Sequence, residues 1–159
     1  MRLISVSLGI VVLVADIFTK WWVQTNPWVW YYTVVDGFFR ISYVLNEGIA
    51  FGFFHSLQSE WKVTVLSSMS AIAVLIVLYY IWKTPPEQKK VFIFLGLILG
   101  GILGNFVDRF FNHHVTDFLE FHWGNYFSWP TFNLADAAIT SGVIFIFYEA
   151  IFDGGKEEQ

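Results

Sequence analysis

Four aspartates of this chain, Asp16, Asp108, Asp117 and Asp136, lie in or beside long apolar runs. A carboxylate away from water is costly unless it is paired and hydrogen-bonded, so each must be neutralised or at work. Asp16 has Lys20 four residues on, the orientation that favours an ion pair along a helix. Holding a neutralised pair against other helices accounts for Asp16 as well as chemistry does. Asp108 adjoins Arg109, and an interfacial charge pair is the simpler account of it. Asp117 and Asp136 have no basic residue within one helical turn. Two such carboxylates meeting at a semi-dry site share a proton, because both cannot ionise together. One then takes a proton from water while the other donates to a carbonyl oxygen. This is the chemistry of an aspartic hydrolase, which needs neither metal nor cofactor.

Other chemistries find less support. His113, His114 and His122 lie near Asp117 and Glu120, but there is no HExxH, and adjacent histidines in an interfacial loop are more often solvated than zinc-bound. Ser67, Ser68 and Ser70 fall mid-helix with no base nearby, which suits helix–helix hydrogen bonding. The chain has no cysteine, which removes disulfides, thiolate catalysis and cysteine metal sites. Its net charge of −4 comes with no basic block, which argues against nucleic acid as a partner.

The elements that must position these acids are membrane helices. Hydrophobic residues make up 56% of the 159 and charged residues 14%, well off the soluble average. The excess is concentrated at residues 3–23, 63–82, 91–111 and 132–152, each about 20 residues and able to cross a hydrocarbon core of roughly 30 Å. The expected architecture is a single α-helical domain over 1–159 with four transmembrane helices. The first run carries Asp16 and Lys20 and is followed by WWVQTNPW, unlike a cleavable leader. Arg2, Lys83, Lys89, Lys90 and Lys156 on one side, against Arg40 and Lys62 on the other, place both termini in the cytoplasm. Segments 24–61 and 112–131 then face outward. Within the first, WYYTVV, Asp36-Gly37 and FFRISYVLN read as a β-hairpin on an Asp-Gly turn, giving a small extracytoplasmic sheet between helices 1 and 2. Trp21, Trp22, Trp28, Trp30, Tyr31, Tyr32 and Trp61 suit an aromatic belt at the headgroups. In the third helix Gly96, Gly100 and Gly104 repeat every four residues, which lets a neighbouring backbone come close.

Depth separates an enzyme from a transporter. Asp136 lies ~6 Å below the outer boundary, Asp108 is similarly shallow, and Asp16 is ~12 Å deep. Asp117, just past the third helix, can fold back over it. The inner halves are almost purely apolar apart from Ser5, Ser7 and Glu149. An ion or proton pathway needs polar stations across the full thickness, and usually repeat symmetry and broken helices. A catalytic site facing outward fits better, with a transporter second and a non-catalytic assembly factor third.

Five stretches resemble the bacterial lipoprotein signal peptidases, or type II signal peptidases, across nearly the whole chain. They are Asp16-Ile-Phe-Thr-Lys20, Asn46-Glu-Gly48-Ile-Ala50-Phe51, the run from Gly100 to Arg109 that reads GGILGNFVDR, Val115-Thr-Asp117-Phe118, and Phe132-Asn133-Leu-Ala135-Asp136. Ile49 stands where that family usually has alanine. The resemblance implies that Asp117 and Asp136 are the catalytic pair, in agreement with the charge argument. It also implies that Asp16, Lys20, Asn46, Gly48, Asn105, Arg109 and Asn133 line the site. It further implies a substrate whose cysteine already carries diacylglycerol, cut just before that cysteine. The expected protein is a monomer in the bacterial cytoplasmic (inner) membrane, in contact with lipid and open at the extracytoplasmic face, with no metal or cofactor. The outer hairpin is placed to clamp the peptide over the pair.

Overall fold

The computed structural model describes residues 1–48, 59–124 and 126–152. Long apolar runs without proline or buried strand partners form helices, because only internal hydrogen bonding satisfies their backbone in an apolar medium. The four helices are α1 (Arg2–Thr25), α2 (Ser59–Lys83), α3 (Lys89–Asn112) and α4 (Leu134–Phe152), all long and apolar enough to cross a membrane. They match the four expected runs closely at most ends. α2 begins earlier, at Ser59, and α4 later, at Leu134, because Asn133 sits outside the helix as its cap.

α3 is the centre of the bundle, packed by α1, α2 and α4. Its glycines make that possible. A side chain at Gly96 would stand 2.7 Å from the Ser5 carbonyl of α1, one at Gly100 would overlap the Gly9 carbonyl and Val12, and one at Gly104 would overlap the Asp16 carboxylate. Gly101 meets α4 at the Ala135 carbonyl in the same way. The stripe therefore packs helices, as its spacing predicts.

The sheet is larger than a hairpin. β1 (Tyr31–Val35) and β2 (Phe39–Asn46) turn at Asp36-Gly37, where Gly37 takes φ +70°. The segment after α3, expected to face outward, supplies β3 (Val115–Trp123) and the short β4 (Phe127–Ser128), in the antiparallel order β1-β2-β3-β4. The expectation of a sheet confined to the segment between helices 1 and 2 is thus corrected: half of it comes from between α3 and α4. The run VTDFLEFHW is rich in β-branched and aromatic residues, and that was the available strand signal. Phe132 pairs with Leu119, with its carbonyl accepting the Phe118 and Leu119 N–H groups at 3.0 and 2.8 Å. This pairing pins the start of α4 to the middle of β3.

Two apolar clusters lie at different heights. Val77, Ile81, Phe92, Leu95, Ile98 and Leu99 join α2 to α3 in the half away from the sheet. Val23, Val29 and Phe118, with Trp22, Ile41, Tyr43 and Leu119, seal the sheet onto the end of α1. Asp16, Lys20, Asn105, Asp108, Thr116, Asp117 and Asn133 are buried in the sheet half of the bundle. Gly100→Ala is expected to lower stability by about 1–3 kcal/mol through overpacking against α1, read as an earlier thermal unfolding transition in detergent.

Candidate active site

The first turn of any helix leaves backbone N–H groups unpaired, and in a dry site each needs a named acceptor. At α4 the acceptors are the residues suspected of chemistry. Asn133 Oδ1 accepts the Asp136 N–H at 2.9 Å, and Asp136 Oδ2 accepts the Asn133 N–H at 3.2 Å. This is a reciprocal capping box with aspartate at its third helical position. The Ala135 N–H goes to Asp16 Oδ1 on α1 at 2.9 Å. An amide and a carboxylate open this apolar helix because they close its hydrogen bonds.

The cap leaves the Asn133 amide nitrogen free to turn outward from the helix. Asn133 is fully buried, and its Nδ2 donates to Asp117 Oδ1 at 2.7 Å and to Asn105 Oδ1 at 3.1 Å. Asn105 Nδ2 in turn donates to Asp136 Oδ1 at 2.7 Å. On the far side, Asn46 Nδ2 donates to Asp117 Oδ2 at 2.8 Å. The β2–β3 register explains that bond: Asp117 faces Val44, so Asn46 is its diagonal neighbour on the same face. Asn46 Oδ1 also accepts the Gly48 N–H at 2.8 Å. Gly48 takes φ +86°, and a side chain there would run into Leu66 of α2. Its part is to let the chain turn beneath Asn46. Ile49, Ala50 and Phe51 of the same motif lie outside the described residues.

Asp117 is only 2% exposed, whereas Asp136 is half-buried. Burial pushes the Asp117 carboxyl up from 3.8 to about 6. The Asp136 charge pushes the same way, and the Asn46 and Asn133 amides and the Lys20 charge pull back. The two carboxyls therefore sense each other electrostatically, and both bond Asn133, Asp117 through its side-chain amide and Asp136 through its backbone N–H.

Below the pair lies a buried cation. Lys20 Nζ, on a residue 2% exposed, sits 2.7 Å from Asp16 Oδ2, 3.1 Å from Asp108 Oδ2 and 3.0 Å from Asn105 Oδ1. The expected Asp16–Lys20 pair forms. The expected Asp108–Arg109 pair does not. Asp108 turns to Lys20, and its carboxylate also takes the Thr116 N–H and the Asn112 amide. Neighbours along a helix point about 100° apart, so a side chain packed against α1 leaves the next one facing elsewhere. Arg109 forms no ion pair among the described residues; its Nε is buried without a partner and its Nη1 only grazes the Asn105 carbonyl at 3.5 Å. The acids acting on it most strongly are Asp136, then Asp117, then Asp108.

All nine residues expected in or around the site thus come together at the sheet end of the bundle. Two others hold the network and were missed: Thr116 and Gln24, bonded through Thr116 Oγ1 and Gln24 Nε2 at 2.7 Å. No local pattern marks Gln24, since its partner is 92 residues away. The three histidines do not converge with the acids as a metal-binding group among the described residues. His113 ends α3 in the left-handed region at φ 63°.

Comparison with known proteins gives a consistent result. The model of the family described as signal peptidase (SPase) II matches residues 8–152. A lipoprotein signal peptidase of Francisella tularensis subsp. novicida is 39% identical over 149 residues, covering 94% of this chain and 92% of the relative. One of Syntrophus aciditrophicus is 38% identical over 150 residues, with the same coverage of 94% and 92%. The fold is similar to a bacterial membrane enzyme solved by the in meso method, with a TM-score of 0.81, 28% identity, and coverage of 98% of this chain and 92% of that one.

Replacing Lys20 by methionine keeps the apolar stem and leaves Asp16 and Asp108 buried without their counter-charge. The expected cost is about 3–5 kcal/mol, measured as loss of the folded fraction on thermal unfolding in detergent.

Proposed function

The chain belongs to the signal peptidase II family, hydrolases of the aspartic protease type that remove signal peptides from lipoproteins, and we propose that Asp117 and Asp136 carry the reaction in it. The substrate is a prolipoprotein whose cysteine bears diacylglycerol, and the bond cut is the one before that cysteine. The observation that carries this reading is the bridge through Asn133, which binds the Asp117 carboxylate and caps the Asp136 backbone at once.

In the mechanism, Asp117, the more enclosed acid, holds the shared proton. Asp136, half-buried, faces the side from which water arrives. Asp136 takes a proton from that water as its oxygen bonds the scissile carbonyl carbon. Asp117 gives its proton to the carbonyl oxygen, forming a gem-diol. The C–N bond then breaks, Asp136 protonates the departing nitrogen, and a diol hydroxyl returns a proton to Asp117. The pair ends as it began. Asn46, Asn105 and Asn133 aim the carboxyls, with amide hydrogen bonds standing in for absent water. Arg109 keeps free donors beside the pair for a substrate carbonyl.

Arg2, Lys83, Lys89 and Lys90 lie at the bundle end opposite the sheet. The positive-inside rule therefore puts both termini in the cytoplasm and the site at the extracytoplasmic face of the bacterial cytoplasmic (inner) membrane. The whole chain acts as one domain and as a monomer surrounded by lipid, without metal, cofactor or nucleic acid. A lipid-anchored substrate presents its scissile bond at that depth, and the sheet made from both halves of the chain covers the peptide there.

Purified protein in detergent is expected to cleave a diacylglyceryl-modified prolipoprotein, and Asp117→Asn and Asp136→Asn, each folded, to lose at least roughly a thousandfold in kcat. Normal cleavage by either variant would remove that residue from the pair. Because Asp117 must be protonated, kcat/KM falls as pH rises through its value of about 6. Asn46→Ala deletes a hydrogen bond that favours the ionised form, so it moves this descending limb to higher pH. A limb that moves to lower pH contradicts the assignment of the shared proton to Asp117.

A further inference from the structure

Thr116 immediately precedes Asp117 and has no exposed surface. Two helices grip it from different sides. Gln24 Nε2, in the last turn of α1, donates to its hydroxyl at 2.7 Å. Asp108 Oδ2, on α3, accepts its backbone N–H at 3.1 Å, with the same oxygen that faces Lys20. One hold is on the side chain and the other on the backbone, so together they fix both the position and the rotation of this peptide unit.

The sheet alone does not supply that constraint. The β2–β3 ladder runs Ile41↔Leu119 and then Val44↔Asp117, so Ser42 and Tyr43 lie opposite Phe118 alone. The extra residue is a β-bulge, which interrupts pairing and re-aims the side chains beside it. It falls directly on the C-terminal side of Asp117. Regular pairing resumes at Val44↔Asp117 itself and runs only through Leu45↔Thr116 to Asn46↔Val115, the end of β2. Asp117 is thus held between an irregular ladder on one side and Thr116 on the other. Its carboxyl reaches two amides, Asn46 and Asn133, from opposite sides at 2.8 and 2.7 Å. A small rotation of the strand would lengthen one or both of these bonds.

We propose that Gln24 and Asp108, acting through Thr116, are positioning residues for Asp117, setting the angle at which its carboxyl meets Asn46, Asn133 and the substrate. The proposal rests on the reading of Asp117 as catalytic. Neither Gln24 nor Asp108 touches the reacting atoms. Their effect is on the rate of the step and on how tightly Asp117 holds its proton. A loosened Asp117 makes longer bonds to both amides, and those bonds favour the carboxylate, so the proton is held more firmly.

The test uses the full-length protein in detergent with a diacylglyceryl-modified prolipoprotein. Thr116→Val keeps the shape and the N–H to Asp108 but loses the hydroxyl, Gln24→Leu removes the donor, and Thr116→Ser retains the hydroxyl. Folding is followed by thermal unfolding, and Asp117→Asn is run beside them. Thr116→Val and Gln24→Leu are expected to lower kcat roughly ten- to hundredfold, with KM within about twofold, and to move the descending pH limb upward. The double variant is expected to be no worse than either single one, because both remove the same bond. Thr116→Ser should cleave like the parent. Should Thr116→Val fail to fold, Gln24→Leu, at a half-buried helix end, carries the measurement. Parent-like kcat in folded Gln24→Leu overturns the inference, and so does a loss of kcat with an unmoved limb, which would mark a purely structural fastening. Inactive Asp117→Asn beside fully active Gln24→Leu and Thr116→Val overturns this inference alone. Active Asp117→Asn removes the catalytic reading beneath it.

Discussion

A single buried ammonium organises this protein. Lys20 is shut away from water among Asp16, Asp108 and the Asn105 amide oxygen, and each partner is tied to something else. Asp16 reaches past it to cap α4 through the Ala135 N–H. Asp108 reaches past it to the Thr116 N–H at the start of β3. Asn105 reaches past it to Asp136 and receives Asn133. α1, α3, α4 and the sheet are therefore joined through one charge whose removal leaves its acids uncompensated. The desolvation cost of such a cluster is large, and only dense mutual satisfaction offsets it. That density also makes it a rigid base for the carboxyls of Asp117 and Asp136 above it.

Above this base, orientation is handled by neutral amides. Asn46, Asn105 and Asn133 can each donate and accept, so each holds a carboxylate with one end and an anchoring group with the other. Arg109 stands at the edge of the network with donors unused. An amide shifts a carboxyl's proton affinity less than a full cation at the same distance would, which leaves burial in control of Asp117. An arginine paired directly to Asp117 would hold it ionised. Lys20 accordingly pairs with Asp16 and Asp108 and not with Asp117.

The two halves of the chain meet at the site twice. Close packing along the glycine stripe brings α1 onto α3, and the four-stranded sheet pairs the segment after α1 with the segment after α3. Helix contact sets the depth of Asp16, Lys20, Asn105 and Asp108. Strand pairing sets Asn46 against Asp117. The Phe132–Leu119 bridge brings the two systems together, because it places the cap of α4 beside β3.

How much of this was legible without the fold depends on the range of each interaction. Helix number and approximate limits follow from hydropathy over some twenty residues, because backbone in an apolar medium has few alternatives. The Asp36-Gly37 hairpin, the glycine stripe and the Asp16–Lys20 pair are local patterns whose partners lie within a few residues or on a repeating face. The choice of Asp117 and Asp136 from the four suspect acids also came from what lies near each in the chain. The partners of Asp108 and Arg109 did not, because adjacent helical residues diverge in direction and only the crossing of α1 over α3 decides which acid meets Lys20. β3 and its bulge, the Gln24–Thr116 bond and the double role of Asn133 depend on groups brought together across 16 to 92 residues. The sequence by itself determined the four helices, the hairpin and the acids without local counter-charges, since these are set by short-range spacing and by the cost of exposing backbone to lipid. The tertiary structure alone decided which amide holds which carboxyl and that Asp117 is more enclosed than Asp136, since those follow from packing and long-range strand register.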